Sequence, residues 1–142
     1  MEIRNPKPDL LRDKTLNFAI RIVNLNKYLV QEKSEYTISK QILRSGTNPG
    51  AMVREAANAE SPLDFVHKLS VAQKETGETQ YWLELLFKTN YIAHKEFESI
   101  NADAGEIMRL LRSSILTKKK NIATKITSAT ILIVVALFYW LG

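Results

Sequence analysis

The amino-acid sequence predicts an all-α protein, an antiparallel up-down four-helix bundle with an extra apolar C-terminal helix. Along four successive segments, apolar residues recur at spacings of three, four and seven, which is the period of one face of a helix. Loops of about two to five residues separate these segments, and antiparallel helices need only such short connections. No segment alternates apolar and polar residues as a half-buried strand would. We therefore expect a bundle domain over residues 9–120 and an apolar segment over residues 121–142.

The first helix is predicted over residues 9–32. Pro6 and Pro8 precede its periodic part, and Asp9 can cap it by accepting a backbone N–H from the first turn. The inner face is formed by Leu11, Phe18, Ile22, Leu25 and Leu29.

The second helix is predicted over residues 37–58, after turn and cap chemistry at Ser34–Thr37. Because Pro49 lacks an N–H and its ring meets the carbonyl of Ser45, we expect the helix to kink there or its first half to end near Asn48. The inner stripe is formed by Ile38, Ile42, Ser45, Pro49, Val53 and Ala56.

Two glycines of the second helix, Gly46 and Gly50, lie four residues apart. They leave a patch without side chains on one side of the helix, where another backbone or a bulky side chain can approach closely. We expect both to be helix-packing or subunit-packing positions.

The third helix begins with a cap signal and runs to about Lys88. Ser61 can accept a first-turn N–H, Pro62 suits the first helical position, and Asp64 suits the first turn. The inner face of this helix, which we call the seam, has its residues at alternating steps of four and three residues, as helices with a long antiparallel neighbour do. Its members are Phe65, Leu69, Ala72, Thr76, Thr79, Leu83 and Leu86.

The fourth helix is predicted from about residue 94, after a turn at Thr89–Asn90. Its apolar positions are Phe97, Ile100, Ala104, Ile107, Leu111 and Ile115. No proline or glycine stops it before Gly142, and residues 126–141 carry no charge. Residues 122–141 are long enough to anchor the chain in a membrane. A helix buried in an oligomer, or a tail that is not native, is the alternative.

Charge is distributed unevenly. Residues 1–106 contain 14 basic and all 15 acidic residues, whereas residues 107–142 contain six basic residues and no acid. The last stretch therefore accounts for the whole net charge of +5. The start of the chain has no apolar signal region, so we expect a cytoplasmic protein, with attachment to the inner face of a membrane by the C-terminal segment as the alternative.

The sequence offers little for catalysis, and we expect no catalytic residue, metal or cofactor. Without cysteine there is no thiolate nucleophile, and neither histidine lies in a nucleophile-elbow context. Asp64-x-x-His67 imitates a carboxylate-bridged metal motif, and Glu75 and Glu78 lie one turn apart on the same helix. The two pairs are about 15 Å apart along that helix, too far for one site.

The acids of the third helix need another explanation, because an unpaired buried carboxylate is costly. Cations across the bundle or on another subunit are the expected partners, and Arg44 and Arg54 are the leading ones. The residues assigned to helix or subunit packing are Arg44, Gly46, Gly50, Arg54, Glu55, Glu75, Glu78 and Trp82. Because Trp82 lies on a second partly apolar stripe beside the seam, we also expect a homo-oligomer.

These motifs resemble those of a known family. The pattern Arg44-Ser-Gly-Thr-x-x-Gly-Ala-x-x-x-Glu-Ala56, followed by Asp64-Phe-x-x-Lys-Leu-x-x-Ala-x-Lys-Glu-x-x-Glu-Thr-x-Tyr-Trp-Leu83, resembles the small bacterial 23S rRNA-intervening-sequence proteins. Accessory variability proteins of diversity-generating retroelements look like their relatives. The resemblance covers about residues 9–120, and residues 121–142 lie outside it. Members usually have Ser-Ile where this chain has Asn48-Pro49.

The resemblance implies a bundle that assembles into a ring-like homopentamer, has no known catalysis and binds RNA or DNA through a basic surface. Five copies would repeat the basic segment five times, which suits a phosphate backbone. The predicted nucleic-acid-binding residues are Arg109, Arg112, Lys118, Lys119 and Lys120. The alternative function is a membrane-anchored interaction module, in which the same lysines set topology and contact anionic lipid.

Overall fold

The computed structural model describes residues 6–141, with side chains from Leu10 onward. Four helices account for nearly all of this range: α1 (Pro6–Lys33), α2 (Ile38–Ala57), α3 (Pro62–Lys88) and α4 (His94–Leu141). The described residues contain no strand. The all-α prediction is confirmed, although α1 begins three residues before its expected start, and the side chain of the predicted cap Asp9 lies outside the described part.

Each helix packs against its neighbours in the chain, and α4 closes the ring against α1. The connecting loops, residues 34–37, 58–61 and 89–93, are short, so consecutive helices turn back on one another, and the contacts fit the predicted bundle. The bundle has two ends. We call the end with the 58–61 loop and Lys118 the tail end, because α4 continues beyond it, and the end with the other two loops the far end.

The core lies along the axis of the bundle, and every helix contributes a stripe to it. All five predicted positions of α1 are buried, as are Ile100 to Ile115 on the stripe of α4. On α3 the buried stripe begins at Val66, and Phe65 is half-buried at its edge. Ile38 and Phe97 are likewise half-buried. The heptad spacing thus predicted the core correctly, except that the first predicted position of a stripe is half-buried in three of the helices.

Helix α2 runs through Pro49 without interruption. Of the two alternatives predicted at Pro49, a kink or an end of the first half near Asn48, the end is excluded. Proline removes one backbone hydrogen bond, but Pro49 is buried and α2 packs along both α1 and α3. These contacts hold the helix across the lost bond.

The three loops end and begin helices in different ways. Ser61 accepts a hydrogen bond from the backbone of Asp64 at 3.0 Å, with Pro62 behind it, so the predicted cap of α3 is confirmed. Thr37 makes no side-chain cap for α2. Glu35 takes that role, since its carboxylate accepts the backbone N–H groups of Thr37, Ile38 and Ser39 at 3.0, 2.9 and 2.6 Å.

Helix α4 is continuous over 48 residues, about 72 Å. The predicted extra helix is therefore the second half of α4 and not a separate element. Its last buried residue is Ile115, and Ile122 still packs on the edge of the core. From Ala123 to Leu141 every residue is exposed.

Candidate functional site

The basic residues of α4 form two groups, because a helix turns by about 100° per residue. Arg109, Arg112, Lys119 and Lys120 lie within about 100° of one another on the side away from the core, and all four are exposed. None of them pairs with an acidic side chain among the described residues. We call these four residues the basic face; it is about 16 Å long.

Lys118 points elsewhere. It continues the spacing of the buried positions of α4, so it lies on the side of the helix that faces the bundle. Its Nζ lies 4.9 Å from the ring centroid of Phe65 on α3, within the range of a cation–π contact. The structure therefore separates Lys118 from the four residues with which it was predicted to bind nucleic acid. Its place after Leu111 and Ile115, at the next three-residue step, was a signal for this position.

Two of the four acids of α4 pair with cations of α1. Glu106 pairs with Lys14 at 3.0 Å, and Asp103 pairs with Arg21 at 2.7 Å. Each of these pairs is partly exposed, so each stabilises the fold only slightly. Their larger effect is on charge distribution, because they neutralise charges on the side of α4 that faces α1, while the cations of the basic face have no acidic partner among the described residues.

A second group of predicted residues joins α2 to α3. Arg44 on α2 lies 2.5 Å from Glu78 and 3.5 Å from Glu75, both on α3, and Trp82 donates its indole N–H to Glu78 at 3.2 Å. We call these four residues the Arg44 cluster. The cation expected for the two carboxylates is thus provided within the subunit. Glu75 is nearly buried and its Oε2 accepts no hydrogen bond from the described residues.

Arg54 does not join that cluster, contrary to the prediction. It donates to the carbonyl oxygen of Gly50 in its own helix at 3.1 Å. Glu55 also has a different partner, Lys68 of α3, at 2.9 Å, and the hydrogen bond from this contact raises the pKa of Lys68. Arg54 and Glu55 are adjacent in sequence and so point in different directions from the helix.

The glycine positions differ from each other. A Cβ on Gly46 would lie 2.7 Å from Cγ1 of Ile22 on α1, whereas a Cβ on Gly50 would meet its nearest atom, the Thr15 carbonyl oxygen, at 3.5 Å. The close helix approach predicted for both is therefore confirmed at Gly46, and Gly50 has ordinary contacts.

The residues considered for metal binding have other surroundings. Asp64 accepts the backbone N–H of Glu60 at 3.2 Å, His67 is exposed, and His94 lies 3.4 Å from Glu98. Among the side chains that the structure describes, those of residues 10–141, no three of His, Asp or Glu come together as a metal site would require.

The second half of α4 exposes a long run of apolar side chains. Its 18-residue window has a mean hydropathy of 1.9, and none of that window is buried. By length and composition this helix can cross a membrane. Its exposed large apolar residues are Ile126, Ile131, Leu132, Ile133, Val134, Val135, Leu137, Phe138, Tyr139, Trp140 and Leu141.

Comparison with known proteins agrees with the fold and with the sequence motifs. Residues 11–113 match the profile of the 23S rRNA-intervening sequence protein family. The chain is also similar to a crystal structure of a protein of unknown function from the S23 ribosomal protein family of Bacteroides thetaiotaomicron. The two are 56% identical with a TM-score of 0.76, over 77% of this chain and 97% of that one. No curated protein matches the chain significantly.

Proposed function

The chain belongs to the family of 23S rRNA-intervening sequence proteins, and we propose that it is a non-enzymatic, oligomeric bundle held at the cytoplasmic face of a membrane by the second half of α4. One observation carries this proposal: an apolar helical extension that the described chain leaves uncovered. The family match ends at residue 113, so the extension is an addition to the shared bundle.

The dimensions of the extension support a single span. Residues 122–141 form 20 residues of helix, about 30 Å, which equals the thickness of a bilayer core. Tyr139 and Trp140 then lie at the distal interface, where aromatic residues are enriched, and Lys118–Lys120 lie at the cytoplasmic flank. Lys125 lies one turn inside and reaches the headgroups through its long side chain.

Carbonate extraction of membranes tests the attachment. Wild-type protein is expected to stay in the membrane pellet. The variant Leu132→Lys/Val135→Lys is expected to be released, because each charge near the bilayer centre costs about 2.5–3.5 kcal/mol. Both residues are exposed in the helix, so the bundle should fold normally. Tyr36→Lys, at the exposed far end, is the matched control and should stay in the pellet; release of the wild type refutes the proposal.

The basic face supports a second candidate function, the binding of structured RNA. Four exposed cations in a row about 16 Å long suit a phosphate backbone, and copies in an oligomer would multiply the charge. The rRNA in the family's name is consistent with this candidate. No RNA-reading motif is present in the sequence, so the expected binding is independent of base sequence.

A salt titration of RNA binding by the full-length protein tests this candidate. Replacing Arg109 and Arg112 with Gln should weaken binding and reduce the slope of log K against log salt by about 1.4–1.8, because two phosphate contacts are lost. Lys27→Gln/Lys40→Gln removes the same charge from exposed positions near the far end and should leave the slope unchanged. Equal effects of the two pairs would contradict a role for the basic face.

Assembly into an oligomer rests on the side of α3 next to the Arg44 cluster. Tyr81 is 57% exposed and its ring packs edge-on against Trp82, 4.8 Å away. Light scattering of the detergent-solubilised protein should give a mass of several subunits, and Tyr81→Lys should lower it. Glu84→Lys, also exposed on α3, is the control, and a monomeric wild type would rule out assembly.

A further inference from the structure

A cavity opens at the tail end of the bundle, where all four helices contribute to its wall. Its volume is about 600 Å³, within the usual range for small-molecule sites. The apolar part of the lining consists of Leu11, Val53, Ala56, Ala57, Phe65 and Leu69. Ser114, Thr117 and Asn121 add polar groups from α4.

The charge of this lining has one sign. Arg12, Arg54 and Lys118 are its charged residues, and no acid is among the described residues that line it. Lys118 is held over the ring of Phe65, and Arg54 is fixed by one hydrogen bond to the carbonyl of Gly50, which uses only one of its five N–H groups. Three cations from three helices over an apolar floor provide a site for an anion that carries an apolar part.

Two of the acids near the cavity bond to other groups. Glu55 pairs with Lys68, and Asp64 accepts the backbone N–H of Glu60. Glu55, Glu60 and Asp64 line an adjacent groove, which shares Arg54 and Asn58 with the cavity.

The position of the cavity along α4 identifies the source of such an anion. If the bilayer core begins at Ile122, Asn121 and Lys118 lie about 1.5 and 6 Å above it, and Ser114 lies about 12 Å above it. The headgroup layer is about 5–8 Å thick on each side. The lower wall of the cavity therefore lies at the depth of lipid phosphates, and its upper wall at the water boundary.

We infer that this cavity binds the headgroup of an anionic phospholipid, with the phosphate among Arg12, Arg54 and Lys118 and the adjoining apolar part of the lipid against the floor around Phe65. The inference rests on the proposed membrane attachment. It assigns to Lys118 a role different from that of the four cations of the basic face, whose contacts with a membrane are non-specific.

Thermal unfolding of the full-length protein in dodecyl maltoside micelles, followed by far-UV circular dichroism, tests the site. Dioleoyl phosphatidylglycerol should raise the midpoint saturably, and dioleoyl phosphatidylcholine should not. In Arg54→Gln/Lys118→Gln the half-saturating content of phosphatidylglycerol should rise about tenfold, since two charge-assisted contacts are lost. Lys27→Gln/Lys40→Gln removes equal charge from exposed positions near the far end and should keep the wild-type response. Arg12→Gln, an exposed position, replaces the double variant if that variant does not fold.

Several results would overturn the inference. An equal rise of the unfolding midpoint with the two lipids would do so. An equal loss of the phosphatidylglycerol response in the cavity variant and in the control variant would do so too. Stabilisation by glycerol phosphate alone to the same extent would show a site for soluble phosphates instead. Carbonate extraction tests attachment separately: a protein that stays in membranes but shows no preference for phosphatidylglycerol refutes the lipid site and leaves the attachment standing. A protein that is released from membranes but keeps its preference for phosphatidylglycerol refutes the attachment and leaves the lipid site standing.

Discussion

At the scale of single residues, buried threonines replace larger apolar side chains at several core positions. Thr15, Thr76 and Thr79 are fully buried, and each hydroxyl lies 2.8–2.9 Å from a carbonyl oxygen four residues earlier. Such local bonds satisfy the hydroxyls of Thr15 and Thr76 within their own helices, whereas the Thr79 hydroxyl also lies 3.0 Å from the Ser45 hydroxyl on α2. The small side chains let α2 approach α1 and α3 closely, and this explains how an unusual polar motif belongs to an ordinary core.

The close approach at Gly46 predicts opposite effects for two similar substitutions. Gly46→Ala should lower stability by about 1–2 kcal/mol, since its Cβ would meet the fully buried Ile22 and the overpacking outweighs a gain in helix propensity of about 1 kcal/mol. Gly50→Ala should be neutral or stabilising, because its new contacts are ordinary. Thermal unfolding measures both. In an Ile22→Ala background, Gly46→Ala should no longer be destabilising; equal shifts for both glycines would contradict the packing argument.

The Glu35 cap predicts a pH-dependent contribution to stability. Burial raises the pKa of this carboxyl, but the backbone N–H groups of Ile38, Ser39 and Thr37 lower it more, so the net pKa is lowered. Glu35→Ala should therefore cost about 1–2 kcal/mol at neutral pH. A lowered folded-state pKa gives stability that is present above the ordinary glutamate value of about 4.3 and is lost as pH falls through the folded-state pKa.

Unfolding of wild type and Glu35→Ala across a pH series checks this sign. The difference between the two should shrink below about pH 4. Glu32→Ala, an exposed position in the last turn of α1, is the control and should show a smaller difference at neutral pH. A gap that widens on acidification would contradict the cap.

At the scale of elements, explicit end signals made helix limits predictable. Ser61 and Pro62 begin α3, and Asn90 ends it in a left-handed conformation with φ of 63°. The N–H groups of Asn90 and Tyr91 bond to the carbonyls of Phe87 and Leu86 at 3.0 and 2.9 Å, which is the Schellman pattern. At Pro49 the signal was a single residue inside a buried face of α2. The helix does not end there, which was one of the two predicted alternatives, because packing with two neighbours overrides local propensity.

The left-handed cap predicts the effect of substitution at Asn90. Asn90→Gly should leave stability unchanged or raise it slightly, because glycine adopts positive φ freely. Asn90→Val should cost about 1–2 kcal/mol, since a β-branched residue is strained there. Glu84→Val, on the exposed part of α3, provides the control and should cost no more than about 0.7 kcal/mol. Similar costs for the two valine variants would show that the cap is unimportant.

At the scale of the whole molecule, the sequence predicted the bundle and the apolar extension, but it did not predict the cavity at the tail end, where the two meet. Periodicity along each helix identifies what faces the core, because it is a local property. The cavity at the tail end joins Arg12, Arg54 and Lys118, which lie far apart in the chain. Their meeting depends on how the helices are aligned, and spacing along one helix carries no such information.

The continuity of α4 predicts how the bundle is oriented on a membrane. A helix without a break holds the tail end at the bilayer surface, with the far end about 30 Å higher, since α2 between them has 20 residues. Leu63, at the tail end, is 69% exposed. It lies two residues before Phe65, which contacts Lys118, and so about 3 Å nearer the bilayer.

Fluorescent labelling tests this orientation, because the chain has no cysteine and single-cysteine variants can be labelled selectively. In vesicles containing the full-length protein, a nitrobenzoxadiazole label at Leu63→Cys should emit at shorter wavelength than the free dye does in buffer and be quenched by headgroup spin-labelled lipid. The same label at Tyr36→Cys, exposed at the far end, should show neither effect. Equal quenching at both positions would mean that the bundle lies on its side, and the lipid cavity would then lose the depth on which it depends.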